Sequence, residues 1–556
     1  MPLLFSWISF YRIAHSILLR LFMTQKQTLF GLFFLHLMLV VFLLVFTHHD
    51  RLYLAPTHLA FITVMVALGA LYRPRWACLF LIGLIPLEFV SLGKDFLPFA
   101  VRPYQLVAGA LLLSTFVHFF IKRRDMVLPR FTFFDYGLVS LIAGSFLSSI
   151  FAFSQYGLQS LKLTLILMSY VVIYYLLRIH ITQISHLRMP VAFLALSVFL
   201  VSFYGYIQNI LFLRAGDLTG VMPGRPNASF AEADWFGMFL VFVIAMTIST
   251  FVFFYDRAYR NGEVFRANSI SLCAFLALLF LHGVLILTVA RSAWVGYVCL
   301  LFAAVLIMMF RDVWHTLRAL IMIVIVAAIC ALFAVQIFGL TRFDLGDRAL
   351  SAGSGLQEIT IACVPSVTCT AHHCELPSRI DDVSELQPYN CTHIDLEEIV
   401  SNKDRGLVVT TIDRPDPNVD IRKDIYNTSL QAALSAPIVG IGWGSIGQIL
   451  GVDGAGTTLN SSNIFLQVWL SAGVLGLIGF IVMVIALIAR GLVLVARARR
   501  SLRYAYGLFI LLGGIAILIP NLFNAGLLLG YVWVYFAFSN IAVNTSRDNG
   551  EGDSGE

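Results

Sequence analysis

The chain contains fourteen long apolar segments, which constrain its fold more than any other feature of the sequence. A helix of about 20 apolar residues crosses the roughly 30 Å core of a lipid bilayer. The apolar residues run continuously and do not alternate, which argues against membrane-spanning strands. The predicted spans are 29–46, 57–72, 76–91, 102–121, 135–153, 163–178, 190–213, 233–255, 269–289, 292–310, 319–338, 463–489, 504–520 and 527–543. We therefore predict an all-α polytopic membrane protein with about 12–14 transmembrane helices, in which the short spans 57–72 and 76–91 could instead form a re-entrant pair.

The bulk composition agrees with a membrane location. Hydrophobic residues make up 59% of the 556 residues and charged residues only 12%, whereas soluble chains are about 45–50% apolar and about 25% charged. A water-soluble fold of this size cannot hide so many apolar side chains, so the remaining ones face lipid. The net charge of +6 reflects basic residues at the membrane surface, where anionic lipid headgroups neutralise them. It does not require a nucleic-acid partner.

Basic residues set the expected orientation. With the N-terminus in the cytoplasm, the short inside segments hold 22 Lys and Arg residues and the short outside loops hold seven. The seven are Arg51, Lys94, Arg102, Lys162, Arg214, Arg225 and Arg291. This asymmetry satisfies the positive-inside rule.

The pattern divides the chain into five parts. Residues 1–28 are predicted to be a cytoplasmic amphipathic segment without a cleavable signal peptide. Residues 29–338 hold the first eleven spans, and residues 339–462 form a large extracytoplasmic loop. Residues 463–543 hold the last three spans, and the acidic tail 544–556 is predicted to be disordered.

Four of the eight cysteines lie in the long loop. They are Cys363, Cys369, Cys374 and Cys391. An even set in an oxidising compartment favours two disulfides, with three pairings open. A zinc site using His372, His373 or His393 is the alternative, but the loop has no CxxC pair. We predict no metal and no cofactor, and the absence of a P-loop and of GxGxxG argues against ATP-driven transport and nucleotide cofactors.

Three outer-side segments carry ionisable or glycine-rich patterns. The first, 224–240, places Arg225 in a Gly/Pro loop and Glu232 and Asp234 before an apolar helix. The two carboxylates either cap that helix or take part in function, and capping does not exclude the second. In the second segment Arg291 is the only charge between two long apolar spans. It is either a snorkelling arginine or a cation that binds phosphate bidentately.

The third segment ends the long loop. Residues 421–447 predict an amphipathic helix carrying Arg422 and Lys423, followed by Pro437 as a stop and a glycine-rich turn. The glycines are Gly440, Gly442 and Gly444. Their spacing allows close approach to a ligand or to a neighbouring helix.

Together these segments resemble the O-antigen ligase and O-antigen polymerase superfamily over most of residues 200–490. R-P-N-A-S-F (225–230) resembles the family's arginine loop, and T-V-A-R-S-A-W (288–294) resembles its arginine between adjacent spans. R-K-D-I-Y and A-P-I-V-G-I-G-W-G (422–426 and 436–444) resemble its arginine, aromatic and glycine stretch. The family's spacing after its histidine is intact here: Asn463 is followed after nine residues by Gly473, and after two more by Gly476. The position of the ligase histidine itself is occupied by Ser462.

The resemblance implies a GT-C-like glycosyltransferase of the bacterial inner membrane that acts on the periplasmic side without a metal. Its partners would be a polyprenyl-diphosphate-linked glycan donor, a glycan or lipid-linked acceptor, membrane lipids and a polysaccharide-assembly complex. The expected catalytic residues are Arg225, Arg291, Glu232, Asp234 and Ser462. The expected substrate-binding residues are Arg422, Lys423, Gly442, Gly444 and Asn463. Arg225 and Arg291 are expected to stabilise the charge of the leaving diphosphate.

The missing histidine favours the polymerase branch, because a serine hydroxyl is not a general base near neutral pH without help. Glu232, Asp234 or an acidic residue of the long loop would take the base's place. Two other classes stay open. A lipid-linked glycan flippase also fits the spans, but the sequence has no convincing inverted repeat. A non-catalytic member could bind lipid-linked glycan for a biosynthetic complex.

Overall fold

The computed structural model describes most of the chain outside its two ends. The described residues are 25–48, 55–92, 101–120, 128–152, 158–215, 224–310, 313–341, 345–346, 356–365, 369–370, 373–374, 377, 379–394, 398–415, 417–451, 459–498 and 502–542. The predicted amphipathic segment 1–28 lies mostly outside these residues, and the acidic tail 544–556 lies wholly outside them.

The fold is mostly helical. Its longer helices before the loop are α1 (Gln25–His48), α2 (Pro56–Tyr72), α3 (Pro74–Leu84), α4 (Pro103–Phe120), α5 (Phe133–Phe151), α6 (Leu158–His180), α7 (Arg188–Ala215), α8 (Ala233–Arg260), α9 (Val264–Leu287), α10 (Arg291–Met309) and α11 (Trp314–Ile337). The later ones are α12 (Ile399–Asp404), α13 (Pro417–Ser435), α14 (Ile446–Leu450), α15 (Ile464–Arg497), α16 (Leu502–Leu518) and α17 (Gly530–Ser539). The prediction of an all-α polytopic membrane protein is confirmed.

Eleven helices within the described residues are long and apolar enough to cross a membrane. They correspond to eleven of the fourteen predicted spans. The other three spans differ from the prediction because their helices are shorter, with 17, 11 and 10 residues in α2, α3 and α17. Helices of these lengths extend over only about 25, 16 and 15 Å. Pro74 follows Arg73 directly and starts a new helix there, as expected for a residue that fits the first helical turn.

Helix α17 explains why the apolar segment 527–543 was taken for a membrane span. All ten residues of α17 are buried by protein. Its rings contact helices on several sides, with Tyr535 beside Phe242 and Phe509, and Phe536 beside Phe134. An apolar sequence predicts removal from water, and here protein supplies the apolar surroundings.

The described residues divide into two compact units. The first comprises residues 1–127 and 180–201 and contains α1 to α4 and the first half of α7. Within it, a buried Glu88 carboxylate accepts hydrogen bonds from Tyr104 (3.0 Å) and pairs with Arg102 at 2.5 Å. A buried carboxylate needs such partners, because isolated burial of a charge is costly.

The second unit comprises residues 128–179 and 202–556, and its densest packing joins α5 to α15. Glycines let the two backbones touch: a Cβ on Gly137 would lie 2.5 Å from the Gly479 carbonyl oxygen. A Cβ on Gly144 would lie 2.4 Å from the Ala472 carbonyl oxygen. Small residues at such spacing are the usual means of close helix association in membranes.

A buried ion pair joins α5 to α6. Arg178 lies 2.7 Å from Asp135, and both side chains are almost fully buried. Arg178 also donates to the Tyr174 hydroxyl and to the Arg130 carbonyl. These bonds satisfy most of the donors of the guanidinium, so the pair is a structural link between the two helices.

The loop between α11 and α15 contains a small antiparallel sheet that the sequence analysis did not predict. Strands β1 (Leu356–Cys363), β4 (Cys391–His393) and β5 (Val408–Pro415) pair in the order β4-β1-β5. Strands β2 (Cys369–Thr370) and β3 (His373–Cys374) form a separate pair. Isoleucines from β1 and β5 form its core together with Leu386, so the loop has a hydrophobic centre of its own.

One disulfide of the loop is present, between Cys363 and Cys391. It joins residues that face each other in the β1–β4 ladder. These two cysteines are therefore not zinc ligands. The side chains of Cys369 and Cys374, and His372 as a whole, lie outside what the structure describes.

We expect Cys369 and Cys374 to form the second disulfide, because they are directly paired in the β2–β3 ladder. Mass spectrometry of non-reduced peptides should find both bonds, with Cys273 and Cys330 as free-thiol controls. Loss of the Cys363–Cys391 bond should destabilise the loop by about 2–5 kcal/mol. Free thiols at 369 and 374, or zinc bound by the loop, would contradict the second pairing.

Candidate active site

The loop before α8 holds Arg225 against the segment that carries Arg291. The Arg225 Nε donates to the Thr288 carbonyl oxygen at 2.9 Å. Thr288 lies three residues before Arg291, a separation that a chain spans in at most about 11 Å. A Cβ on Gly237 of α8 would lie 2.8 Å from the Ala290 Cβ, so the starts of α8 and α10 also pack directly together.

Asp234 gives Arg225 a charged partner. Their side chains lie 3.2 Å apart and are 26% and 20% exposed. Asp234 lies in the first turn of α8, and Glu232 is the N-cap residue of the same helix. Capping was one interpretation of both carboxylates, and in the structure the carboxylate of Asp234 bonds the arginine.

Arg291 is the first residue of α10 and its side chain is half-buried. A helix N-terminus presents unbonded N–H groups and a partial positive charge, and both favour an anion. Ser292 follows it and is almost fully buried. The arginine side chain and the helix end therefore favour the same kind of ligand, one with negative charge.

Arg422 and Tyr426 lie one helical turn apart on α13 and contact one short segment near the chain's end. The Arg422 guanidinium lies 5.9 Å from the centre of the Phe523 ring, within the range of a cation–π contact. The Tyr426 hydroxyl lies 3.2 Å from the Ser462 carbonyl oxygen and 3.3 Å from that of Leu522. Burial raises the pKa of Tyr426, so at neutral pH its hydroxyl keeps the proton that it donates.

Asn463 caps α15 in the structure. Its amide oxygen accepts from the N–H groups of Phe465 and Leu466, and its amide nitrogen donates to the Leu522 carbonyl at 3.1 Å. Asn463 was expected to bind substrate, and the contacts that the structure gives it are those of a helix cap. The cap fixes the position of the preceding residue, Ser462.

Ser462 has a left-handed backbone with φ of +50°. Its N–H donates to the Asn460 side chain. The buried Ser461 before it donates to Gln467 at 2.8 Å. This conformation is uncommon for residues other than glycine, although asparagine, aspartate and histidine adopt it more often than others.

Left-handed residues other than glycine occur near Arg225, near Arg291 and directly before Asn463. The non-glycine residues with positive φ in the described part of the chain are Ala228, Val289, Asn390 and Ser462. Ala228 lies three residues after Arg225, and Val289 lies two residues before Arg291. Strained backbone of this kind persists where surrounding structure enforces it, and it concentrates at functional sites.

The segment 520–526 joins these parts, and sequence reasoning missed it. The Asn524 side chain donates to the Ser292 hydroxyl and to the Pro520 carbonyl, both at 3.0 Å. The neighbouring Phe523 contacts Arg422, and Leu522 accepts from Tyr426 and Asn463. The signal was present as two amide side chains, Asn521 and Asn524, in an otherwise apolar run.

The glycine-rich turn after α13 is packed against protein. A Cβ on Gly442 would lie 2.4 Å from the Ser160 hydroxyl oxygen, and one on Gly444 would lie 2.5 Å from Leu163. Both glycines were expected to bind substrate, and the neighbours that the structure gives them are residues of α6. Gly440 has the same role against α15, because its Cβ would lie 2.5 Å from the Leu470 carbonyl oxygen.

Gly473 breaks α15 where this turn docks. Its φ and ψ of +64° and −170° interrupt the helix, a conformation that is essentially confined to glycine. The break lets Ile441 donate to the Leu470 carbonyl at 2.7 Å and lets Val474 donate to the Pro437 carbonyl at 3.1 Å. The family spacing of Asn463, Gly473 and Gly476 therefore has a physical basis in a cap, a break and a close helix contact.

Contacts link the segments that carry the three arginines. Arg225 bonds Asp234 and the Thr288 carbonyl, and Asn524 bonds Ser292, which follows Arg291. Phe523, next to Asn524, lies against Arg422. Lys423 lies on an exposed part of α13. Helices α8 and α10 begin here with no side-chain cap bond, whereas the first N–H groups of α15 are bonded to the Asn463 side chain. Within the described residues, no group of His, Cys, Asp and Glu side chains could hold a metal ion. The arrangement favours binding of an anion by arginines and helix ends.

Ser462 provides a direct test of this arrangement. We expect Ser462→Ala to lower the rate of the reaction by at most about tenfold, the value of one hydrogen bond. Ser462→His should fold, because histidine tolerates the left-handed backbone, and should raise ligase-like activity. The measurements are the turnover rate and the membrane abundance of both variants. Complete loss of turnover in Ser462→Ala would show that this serine is itself essential to the chemistry.

The comparisons with known proteins give one match. Residues 274–481 match the family model described as O-antigen ligase. The match includes the segments of Arg291, Arg422 and Ser462, while Arg225 and the 520–526 segment lie outside it. No curated protein and no solved structure matches the chain.

Proposed function

We propose that this chain, whose residues 274–481 match the O-antigen ligase family model, transfers or polymerises glycan from a polyprenyl-diphosphate-linked donor. The family supports glycan transfer in general. The observation that carries the finer proposal is the network that joins Arg225, Arg291 and Arg422 through Thr288 and the 520–526 segment. Three arginines on these segments, with Arg291 at the N-terminus of α10, suit a diphosphate leaving group.

The reaction would proceed by displacement at the anomeric carbon of the donor sugar. The acceptor hydroxyl oxygen forms the new glycosidic bond while the bond from that carbon to the diphosphate oxygen breaks. The leaving group takes the electron pair, and Arg225, Arg291 and Arg422 stabilise the charge that develops on it. The arginine fork suits two phosphate oxygens at once, which a lysine does not match.

The proton of the acceptor hydroxyl needs a base. Asp234 already bonds Arg225, so we assign it the role of positioning that arginine. Glu232, two residues earlier at the start of α8, is the carboxylate that we propose as the base. Ser462 replaces the ligase histidine, and this favours a polymerase over a ligase that transfers to a lipid acceptor.

The same replacement favours a second candidate, a non-catalytic member that binds lipid-linked glycan for an assembly complex. Such a protein would keep the arginine network and lose turnover. Purified protein given a lipid-linked donor distinguishes the two, because the second candidate would bind the donor without releasing polyprenyl diphosphate.

Deletion of the gene tests the proposed function in the cell. Gel analysis of the surface glycan should show short, unpolymerised units, which the intact gene should restore to full length. Free lipid-linked polymer with a bare acceptor would indicate a ligase. Loss of all extracytoplasmic repeat units would indicate a flippase and would overturn the proposal.

We propose that the protein lies in the bacterial inner membrane with residues 339–462 in the periplasm and both termini in the cytoplasm. The motive is the excess of basic residues on one side, 22 against seven. Reporter fusions between residues 380 and 420 should read as periplasmic, and control fusions between residues 257 and 266 as cytoplasmic. A cytoplasmic signal from the 380–420 fusions would reverse the orientation and remove the site from the donor's leaflet.

A further inference from the structure

A cavity of about 490 Å³ lies on the far side of α13 from the arginine network. Thr428, Gln431 and Ser435 line it from one face of α13, and Phe151 lines it from the end of α5. Arg422 and Tyr426 lie on the opposite face, since the spacing 428, 431 and 435 follows one face of a helix and 422 and 426 follow another. The helix is about 10 Å across, so the cavity and the arginine network are separate places on one element.

The floor of the cavity is held rigidly. Gly440 and Ile441 form part of its lining. Ile441 donates to the Leu470 carbonyl at 2.7 Å, in the turn of α15 that precedes the break at Gly473. Its volume also lies in the range of about 300–1,000 Å³ that is usual for ligand sites. The cavity is therefore preformed and large enough to take an organic ligand.

The lining chemistry defines the class of ligand. Two hydroxyls and one amide face the cavity, and no charged side chain is found among the described residues that line it. A phosphate would lack a cation there. A polyprenyl chain would place hydrocarbon against the Thr428 hydroxyl and the Gln431 amide, which is costly, whereas the Ser435 hydroxyl already donates to the Ala432 carbonyl at 2.8 Å. Phe151, which is 66% exposed, offers an aromatic surface. Hydroxyl and amide groups beside an exposed ring suit a neutral sugar.

We propose that this cavity binds uncharged sugar residues of the acceptor glycan, a few units away from the reacting hydroxyl. The proposal rests on the proposed function, because it gives that reaction a second subsite on the opposite face of α13. An acceptor that reaches both sites is bound more tightly than one that reaches only the arginine network. The cavity thereby favours acceptors above a minimum length.

Direct binding tests the cavity without requiring turnover. The probe is a set of neutral oligosaccharides of increasing length, released by mild acid from the surface glycan of the source cells. Saturation-transfer NMR on the detergent-solubilised full chain should show binding that Thr428→Trp and Ser435→Trp abolish, because indole fills the space. Leu430→Trp is the matched control, since Leu430 is exposed on the same helix and does not line the cavity.

Arg225→Ala separates the two proposals. It should stop transfer and leave oligosaccharide binding unchanged, so that a failure of the proposed function does not affect this readout. In turnover assays, Gln431→Ala should raise the KM for long acceptors by about fivefold to tenfold and affect the shortest acceptor less. Binding that survives both tryptophan variants would overturn the proposal. So would displacement of the oligosaccharide by polyprenyl phosphate, which would assign the cavity to lipid.

Discussion

Replacing Arg225 or Arg291 by alanine is expected to lower glycan transfer by about 10²–10³-fold, the cost of removing one group that stabilises developing charge. Arg225 bonds the Thr288 carbonyl and Asp234, so its loss removes a cation and frees the loop before α8. Arg291 begins α10, so its loss removes a cation where a helix end also favours an anion. The rate of polyprenyl diphosphate release from a purified, saturated enzyme measures both effects.

Lysine at either position should restore activity only in part, because it keeps the charge and loses the bidentate fork. Arg379→Ala is the matched control, since Arg379 is a half-exposed arginine of the loop that pairs with Asp381. Thermal unfolding in detergent and abundance in membranes should stay near the parent values for all variants. Full transfer by either alanine variant would remove the arginine from the proposed site.

Gly473→Ala is expected to be the most damaging single substitution in α15. The φ of +64° is unfavourable for alanine, and the new Cβ would overlap the Ile438 carbonyl oxygen. Strain and overlap together should cost about 2–6 kcal/mol. The turn of residues 436–444 would have to leave the break in α15. Tyr426 and Arg422 would shift with it, because they lie on α13, the helix that leads into this turn.

The measurement is the apparent melting temperature in detergent together with transfer activity, both of which should fall sharply. Gly109→Ala is the control, because Gly109 lies within α4 and no atom lies within 4 Å of its added Cβ. That variant should retain both properties. A Gly473→Ala protein with normal melting and activity would show that the break in α15 is dispensable.

Sequence reasoning predicted the positions of eleven spans because a long apolar run is a local property, and lipid imposes a minimum length on it. It also predicted the helix that carries Arg422 and its end before Pro437, because proline cannot continue a helix. At 527–543, where it predicted a span, the structure has the ten-residue helix α17, whose residues are all buried in protein. Hydropathy does not separate these two cases.

The sequence by itself determined the fold class and identified the three arginine-bearing segments. The length of the apolar runs, the asymmetry of basic residues and the order of the motifs can all be read directly from the sequence. Only the tertiary structure decided how these segments meet. The contact of Arg225 with Thr288 joins residues 63 apart, and that of Asn524 with Ser292 joins residues 232 apart. Neither has a local signature, because such contacts arise from helix packing around glycines such as Gly237 and Gly296. For the same reason, the structural roles of Asn463, Gly442 and Gly444 became visible only when their neighbours were in place.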